Sequence, residues 1–403
     1  MKLIDKGVCA PKGFTASGIH CGIRKNKTKK DLALILCDTM CSAASVYTTN
    51  LVKGAPIYVT RDNLKNGNAQ AILCNSGNAN TCNADGIDIA KEMCALLQKH
   101  TGIAAEDVIV ASTGVIGQPL SIAPIASGME ALVAGLGDKS HDANEAIMTT
   151  DTISKEVAVS FSLDGVECRI GGIAKGSGMI HPNMATMLVF LTTDCAISPT
   201  MLQKAISADV KDSFNMVSVD GDTSTNDMLS ILASGQAGNP VICEDGKAYE
   251  IFCNALASVT TYLCRLIAKD GEGATRLIEC VVRGAEAKDT ARKVAKSVIT
   301  SSLFKAAIFG ADANWGRVLC AIGYSGADVD VTKIDVEFSS AVGAIKVCKA
   351  GAGIPFSEEI AKNVLLEKEI TVTINLNAGV NYATAWGCDL TYEYVKINGD
   401  YRT

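Results

Sequence analysis

The sequence predicts a layered α/β fold, and three observations carry that prediction. Short apolar runs bounded by Asp, Asn or Gly alternate with stretches of helical periodicity along the whole chain. Glu369-Ile-Thr-Val-Thr-Ile-Asn-Leu376 alternates almost strictly, as a strand with one solvated face does. No Pro/Ser-rich linker divides the chain and no internal repeat is visible, so sheets with helices outside them fit best.

The elements follow in order. Residues 32–37, 55–60 and 70–74 read as strands, rich in apolar and β-branched residues and closed by turn formers. Residues 87–97 carry apolar positions at helical spacing, with Asp88 near the start and Lys99-His100 at the end. Residues 108–114 read as a strand running into a Gly turn, 122–136 as a helix, and 187–191 as a short apolar strand. The pattern then shifts toward longer helices. These are predicted over 199–214 behind Ser198 as N-cap, over 222–234, over 248–269, and over 290–309 behind Asp289 or Thr290. Strands are predicted over 274–282, 333–338, 344–347, 369–376 and 388–397.

Composition narrows the function classes. At one domain per roughly 150 residues, 403 residues make two or three units. Charged residues are 20% and hydrophobic ones 48%, which argues against disorder. A net charge of -6 argues against a general nucleic-acid binder. The basic run Arg24-Lys-Asn-Lys-Thr-Lys-Lys30 has no aromatic residue to stack a base and reads as a solvated loop. The 16 cysteines are scattered, many in apolar runs, which fits buried reduced thiols better than a disulfide framework. Cys37 and Cys41 have no second pair at metal-ligand spacing, and the four histidines form no H-E-x-x-H, so no metal is expected. The start lacks an apolar signal core, and no run approaches about 20 apolar residues. The expectation is a soluble cytoplasmic protein with no membrane or nucleic-acid partner.

Several segments hold residues capable of chemistry. In Lys175-Gly-Ser-Gly-Met-Ile-His-Pro-Asn-Met-Ala-Thr-Met187, a Gly-rich stretch leads into the small-residue junction Ala185-Thr186. A threonine there becomes a new N-terminus if the chain cuts itself. Its hydroxyl then lies beside its own free amine, nucleophile and base in one residue. By pattern alone it is a strand-opening threonine, which is common. The order Lys-Gly-Ser is not that of a phosphate-binding P-loop. Thr113-Gly114 ends a strand, where a backbone N–H beside a hydroxyl suits a developing oxyanion, although such turns are widespread. Asn75-Ser-Gly-Asn-Ala-Asn80 and Gly310-Ala-Asp-Ala-Asn-Trp-Gly316 suit tight turns or a polar pocket lining. Glu272 stands between two glycines after the predicted long helix, ordinarily a solvated position. The end of the chain, Asn398 to Thr403, functions only if it docks back onto the fold.

Taken together these segments resemble the ArgJ family of glutamate N-acetyltransferases, also called ornithine acetyltransferases. The resemblance runs from Gly13-Phe14 to Asp400-Tyr-Arg-Thr403, and Gly310 to Arg317 and Ala385-Trp-Gly-Cys-Asp-Leu390 are similar to further family signatures. It implies a layered α/β sandwich of the ArgJ/DmpA-like kind, cut into fragments 1–185 and 186–403 that interlock and pair as α2β2. It implies Thr186 as the nucleophile released by cleavage after Ala185, and Thr113 with Gly114 as the oxyanion pair. Thr149, Lys175, Thr186, Glu272, Asn398 and Thr403 match substrate-contacting positions, with Thr150 and Thr152 as register alternatives to Thr149.

The implied reaction moves the acetyl group of N2-acetylornithine to glutamate through an acetyl-threonine, in arginine biosynthesis. No cofactor is implied, and acetyl-CoA stands open as a second acyl donor. The alternatives are a self-processing aminopeptidase or amidase, which would give the acyl group to water, and a non-catalytic small-molecule binder.

Overall fold

The computed structural model describes residues 1–181 and 187–399. The predicted residues Ala185, Thr186 and Thr403 lie outside them.

Among the described residues the strands form two sheets. The larger runs in the order Lys2–Ile4, Lys155–Leu163, Val166–Lys175, Leu188–Thr193, Met228–Ala233, Leu32–Tyr47, Asn68–Asn78, Val108–Val115, with Phe14–Ile19 also paired to Leu32–Tyr47. The long strand Leu32–Tyr47 serves two neighbours in turn. Its first half pairs with Phe14–Ile19 and Asn68–Asn78, and its second half with Met228–Ala233. The smaller sheet runs Ala352–Gly353, Gly343–Lys349, Asp335–Ser340, Glu369–Asn375, Leu277–Ala285, Asn381–Cys388, Val217–Ser218. The strands flanking residues 182–186 are sheet neighbours. Val166–Lys175 and Leu188–Thr193 pair antiparallel, with Lys175 opposite Leu188. Sequence on the two sides of the Ala185–Thr186 bond therefore shares one sheet and one core.

The helix Lys247–Lys269 ties the layers together. Phe252, Leu256, Val259, Leu263 and Ile267 are buried at spacings of three and four, one stripe of a helix. It packs on Lys155–Leu163 and Val166–Lys175 of one sheet and on Leu277–Ala285 and Asn381–Cys388 of the other. By length and composition alone it is apolar enough to cross a membrane. Its place between two sheets makes it a core helix. The sixteen cysteines are free, and Cys74, Cys94, Cys264, Cys280 and Cys388 fill buried positions.

Four predicted elements are corrected. Residues 55–60 belong to the helix Ala55–Asn63, which has Pro in its first turn and Pro56, Ile57, Val59 and Thr60 buried. Proline fits there because the first N–H groups have no helical partner, and the apolar run reads as a strand only when that start signal is missed. The expected helix over 222–234 is the strand Met228–Ala233 behind a loop. All six of its residues are buried, because it lies between a parallel and an antiparallel neighbour. A strand buried on both faces shows no alternation to distinguish it from a helix.

The expected helix over 290–309 breaks into Lys288–Thr300 and Ser302–Phe309. Ser301 caps the second piece by accepting from the Phe304 N–H. The expected strand over 388–397 ends at Cys388, where Asp389 accepts the Thr275 and Arg276 N–H groups. A short helix, Tyr392–Asn398, follows. The hairpin Lys155–Leu163/Val166–Lys175 and the helix Ser140–Ile147 were not anticipated.

Candidate active site

Three chain segments meet at a small pocket. The strand Val108–Val115 brings Thr113, the strand Val166–Lys175 brings Lys175 at its end, and the loop before Met228–Ala233 brings Ser224, Asn226 and Asp227. Gly178, Met179, Ile180, Met187 and Leu188 complete the lining. Met187 is the residue after Thr186 in the chain, so the described residue nearest the predicted nucleophile on its C-terminal side faces the predicted oxyanion residue across one pocket.

Gly114 shows why this turn takes glycine. Its φ is 132°, and a Cβ there would collide with the Gly77 carbonyl carbon and the Asn78 nitrogen. The strand Asn68–Asn78 lies parallel to Val108–Val115 and shifts register at this point. The backbone of Thr113-Gly114 is thereby pressed against a second strand end and held.

The Asn-rich segment proves to be the scaffold of that turn. Ser112 Oγ donates to Asn75 Oδ1 at 2.5 Å, Asn75 Nδ2 to the Asn78 carbonyl at 3.0 Å, and Asn80 Nδ2 to the Gly86 carbonyl at 2.8 Å. Asn226 reaches in from the far side, donating to the Ala79 and Ser112 carbonyls at 2.5 and 2.9 Å. Its Oδ1 accepts from Thr81 and Thr225. The other Asn-bearing segment lies elsewhere and caps a helix, Asn314 accepting the Arg317 N–H at 3.1 Å.

Lys175 is buried, and its Nζ donates to Thr113 Oγ1 at 3.4 Å, a long contact. Burial lowers its pKa, and Asp151 and Asp227 oppose that. Asp151 is held by other groups as well. Its Oδ1 accepts from Lys155 Nζ and from the Gly176 N–H, both at 2.7 Å, and its Oδ2 from the Thr149 N–H at 2.9 Å. Burial pushes this carboxyl up, but Lys155, Lys175 and the Gly176 N–H hold it at about 2. Lys155 also donates to Asp270 Oδ2 at 2.5 Å, so a fully buried cation sits between two carboxylates. Thr149 is thus tied through Asp151 to the backbone beside Lys175. Thr152 is tied instead to Asp270 through its N–H and its hydroxyl.

Glu272 is buried, contrary to the solvated loop charge expected at such a position. Its N–H donates to the Ser177 carbonyl at 3.1 Å, and its carboxylate lies over Gly178 so closely that a Cβ there would strike it. Asn398 Nδ2 donates to Glu272 Oε2 at 2.7 Å. The helix Tyr392–Asn398 therefore brings Asn398 back to the rim of the pocket. Thr113, Gly114, Thr149, Lys175, Glu272 and Asn398 are gathered within one neighbourhood. Asn226 and Asp227 are the members the sequence reading missed. The polar run Thr223-Ser-Thr-Asn-Asp227, placed inside a supposed helix, was the available signal.

A roomier cleft of about 570 Å³ is lined by His181, Lys211, Arg292, Lys293 and Lys296, among others, and by none of the predicted site residues. Three of its cations are engaged. Arg292 meets Asp212 at 2.8 Å, Lys293 meets Asp289 at 3.4 Å, and Lys296 donates to the Asn215 and Val217 carbonyls. Size favours that cleft, but Thr113 and Lys175, two of the predicted site residues, line the smaller pocket. Among the described residues no group of three His, Cys, Asp or Glu side chains is placed to hold a metal ion.

Known proteins match nearly the whole chain. A model of the ArgJ family matches residues 15–403. "Arginine biosynthesis bifunctional protein ArgJ" of Caldanaerobacter subterraneus subsp. tengcongensis is 49% identical over 405 residues, covering 100% of both chains. Its namesake in Symbiobacterium thermophilum is 50% identical over 406 residues, again covering 100% of both. The crystal structure of the Bacillus halodurans protein of that name is 45% identical, with a TM-score of 0.50, covering 52% of this chain and 97% of that one.

Proposed function

The chain belongs to the ArgJ family, and from that premise we propose its chemistry: it transfers the acetyl group of N2-acetylornithine to glutamate in arginine biosynthesis. The observation that carries the reading is the pocket joining Thr113 and Lys175 to Met187, one residue past Thr186. Thr186 is the nucleophile in this reading. Its α-amine, with an ordinary pKa of about 7.7–8.0, is neutral in roughly a tenth to a sixth of molecules at pH 7 and can then accept the hydroxyl proton, whereas the amide of an uncut chain cannot.

Thr186 Oγ attacks the acetyl carbonyl of acetylornithine while Thr113 and the Gly114 N–H receive the oxyanion, each such donor being worth about 3–4 kcal/mol. The carbon–nitrogen bond breaks, ornithine leaves with the proton, and an acetyl ester remains on Thr186. The glutamate amine then attacks that ester and regenerates the hydroxyl. Lys175 faces the α-carboxylate that both amino acids share. Glu272, held by Asn398, faces an amino group of ornithine, and Thr149 and Thr403 complete the substrate contacts.

The nucleophile is made by self-cleavage. Thr186 Oγ attacks the Ala185 carbonyl, the peptide nitrogen becomes the free amine, and water hydrolyses the ester to give fragments 1–185 and 186–403. The shared sheet supports two fragments that stay interlocked. The Bacillus halodurans chain spans about half of this one, the size of such a fragment. The assembly read from the family is α2β2 in the cytoplasm, with no cofactor. The word "bifunctional" in the relatives' names supports acetyl-CoA as a second donor to glutamate.

Intact mass of purified protein tests the first claim: two fragments are expected, and one inactive chain for Thr186→Ala. Acetylornithine with and without glutamate tests the second, with sustained ornithine release expected only when glutamate is present. A fully active uncut protein would refute the mechanism. Steady hydrolysis without glutamate would point to the amidase instead.

A further inference from the structure

One wall of the pocket is used by none of the groups assigned above. Asp227 forms it, just before the strand Met228–Ala233, and it is 2% exposed. Its Oδ2 is fully buried and, among the described residues, has no hydrogen-bond partner. A buried carboxyl oxygen left unpaired is costly and rare. Its position comes from the sheet. The Met228 N–H donates to the Met187 carbonyl at 2.9 Å, and the Asp227 carbonyl accepts from the Thr48 N–H at 3.0 Å. The side chain adds nothing to that register. Asn226 next to it spends its amide on holding the Ser112 and Ala79 backbone, whereas the Asp227 carboxyl keeps an acceptor free on the same pocket.

The surroundings say what that acceptor suits. Lys175 is the cation of the pocket. Burial pushes the Asp227 carboxyl well above its ordinary value and the Lys175 ammonium below its own, each opposed by the other's charge, and among the described residues they form no ion pair with one another. The room between the walls is about 20 Å³, enough for one water-sized group, and an ammonium head is that size. A buried cation, a buried free carboxyl oxygen and a space for one small donor are together complementary to the paired charges of an amino acid.

We propose that Asp227 is the ammonium receptor of this site: its free Oδ2 accepts a hydrogen bond from the amino group of the amino-acid substrate while Lys175 takes the carboxylate. The choice of an amino acid rests on the acetyl-transfer reading. A primary ammonium has two sources here, glutamate or the chain's own amine after cleavage. The substrate is favoured because Lys175 supplies the anion site that only an amino acid needs.

The test compares glutamate with glutarate, which lacks the amino group, as ligands of the cleaved wild-type enzyme and of Asp227→Asn. The wild type is expected to prefer glutamate by roughly ten-fold or more, and Asp227→Asn to shrink that preference to about two-fold. The loss should fall on glutamate alone, with the KM for glutamate rising more than kcat falls. Equal weakening of both ligands would overturn the proposal. So would a fall in kcat with the preference intact, which would assign Asp227 to the chain's own amine. If Asp227→Asn fails to fold, Asp227→Ser is read by the same ratio. Formation of N-acetylglutamate is followed in the same samples. Its absence from wild type would sink the acetyl-transfer reading, while the glutamate-to-glutarate ratio still judges Asp227.

Discussion

Lys155 and Lys175 are both buried lysines on adjacent strands of one sheet, and their surroundings are opposite. Lys155 lies between Asp151 and Asp270 at 2.7 and 2.5 Å, so its charge is matched inside the protein. Lys175 has a hydroxyl at 3.4 Å and, among the described residues, no ion pair. A buried charge that is fully paired is part of the architecture, whereas one left largely unmatched beside a pocket awaits a partner from outside. The same contrast separates Asn226, whose side-chain amide and carbonyl are both spent on protein partners, from Asp227, which keeps an acceptor free.

The comparison predicts different failures. Lys155→Met should destabilise folding most, by about 3–5 kcal/mol, because it strands two buried carboxylates. Urea unfolding would read this as a lower midpoint, and an unchanged midpoint would end the architectural role. Lys175→Met should leave the melting temperature at or above that of wild type, since a desolvated cation is removed. Its acetyl transfer should fall roughly 10²-fold, or about 3 kcal/mol, through lost substrate binding. Loss of stability without loss of activity would reverse the two lysines.

Acid sharpens the comparison further. The Asp151 carboxyl sits at about 2 in the folded protein, below its ordinary value of 3.8. Its stabilisation is therefore present above pH ~4 and lost as pH falls toward ~2, an effect on the order of 2 kcal/mol. Unfolding free energy measured across that range should show the loss in wild type and a smaller one in Lys155→Met, where the main cation is gone. The smallest effect is expected at the rim. Asn398→Ala removes one hydrogen bond to Glu272, about 1 kcal/mol, and should lower kcat/KM several-fold at constant melting temperature. An unchanged kcat/KM would leave that bond without a part in catalysis.

Much of the fold was legible in the residues. The helix over 248–269, the strands over 70–74 and 108–114 and the Ser198 cap carry local signals, periodicity or a capping side chain, and these formed as expected. Met228–Ala233 did not read correctly because its burial on both faces is imposed by sheet neighbours far away in sequence. Ala55–Asn63 did not because an apolar run of that length fits either structure until Pro56 is taken as a helix start. Thr113, Lys175, Glu272 and Asn398 were singled out through their motifs, yet nothing in those strings shows them converging. Glu272 in particular looked solvated, since its burial depends on Gly178 and on a helix more than a hundred residues later.

The sequence by itself determined the layered α/β class and the family, because these depend on local order and on strings of uncommon residues, and through that family it names Thr186 as the expected nucleophile. Only the tertiary structure decided which buried charges are spent and which are left open. Pairing of Lys155 with Asp270, or the isolation of Asp227 Oδ2, is set by groups brought together across the sheet. A charge's neighbours within the fold, not its neighbours along the chain, determine whether it holds the protein together or waits for a ligand.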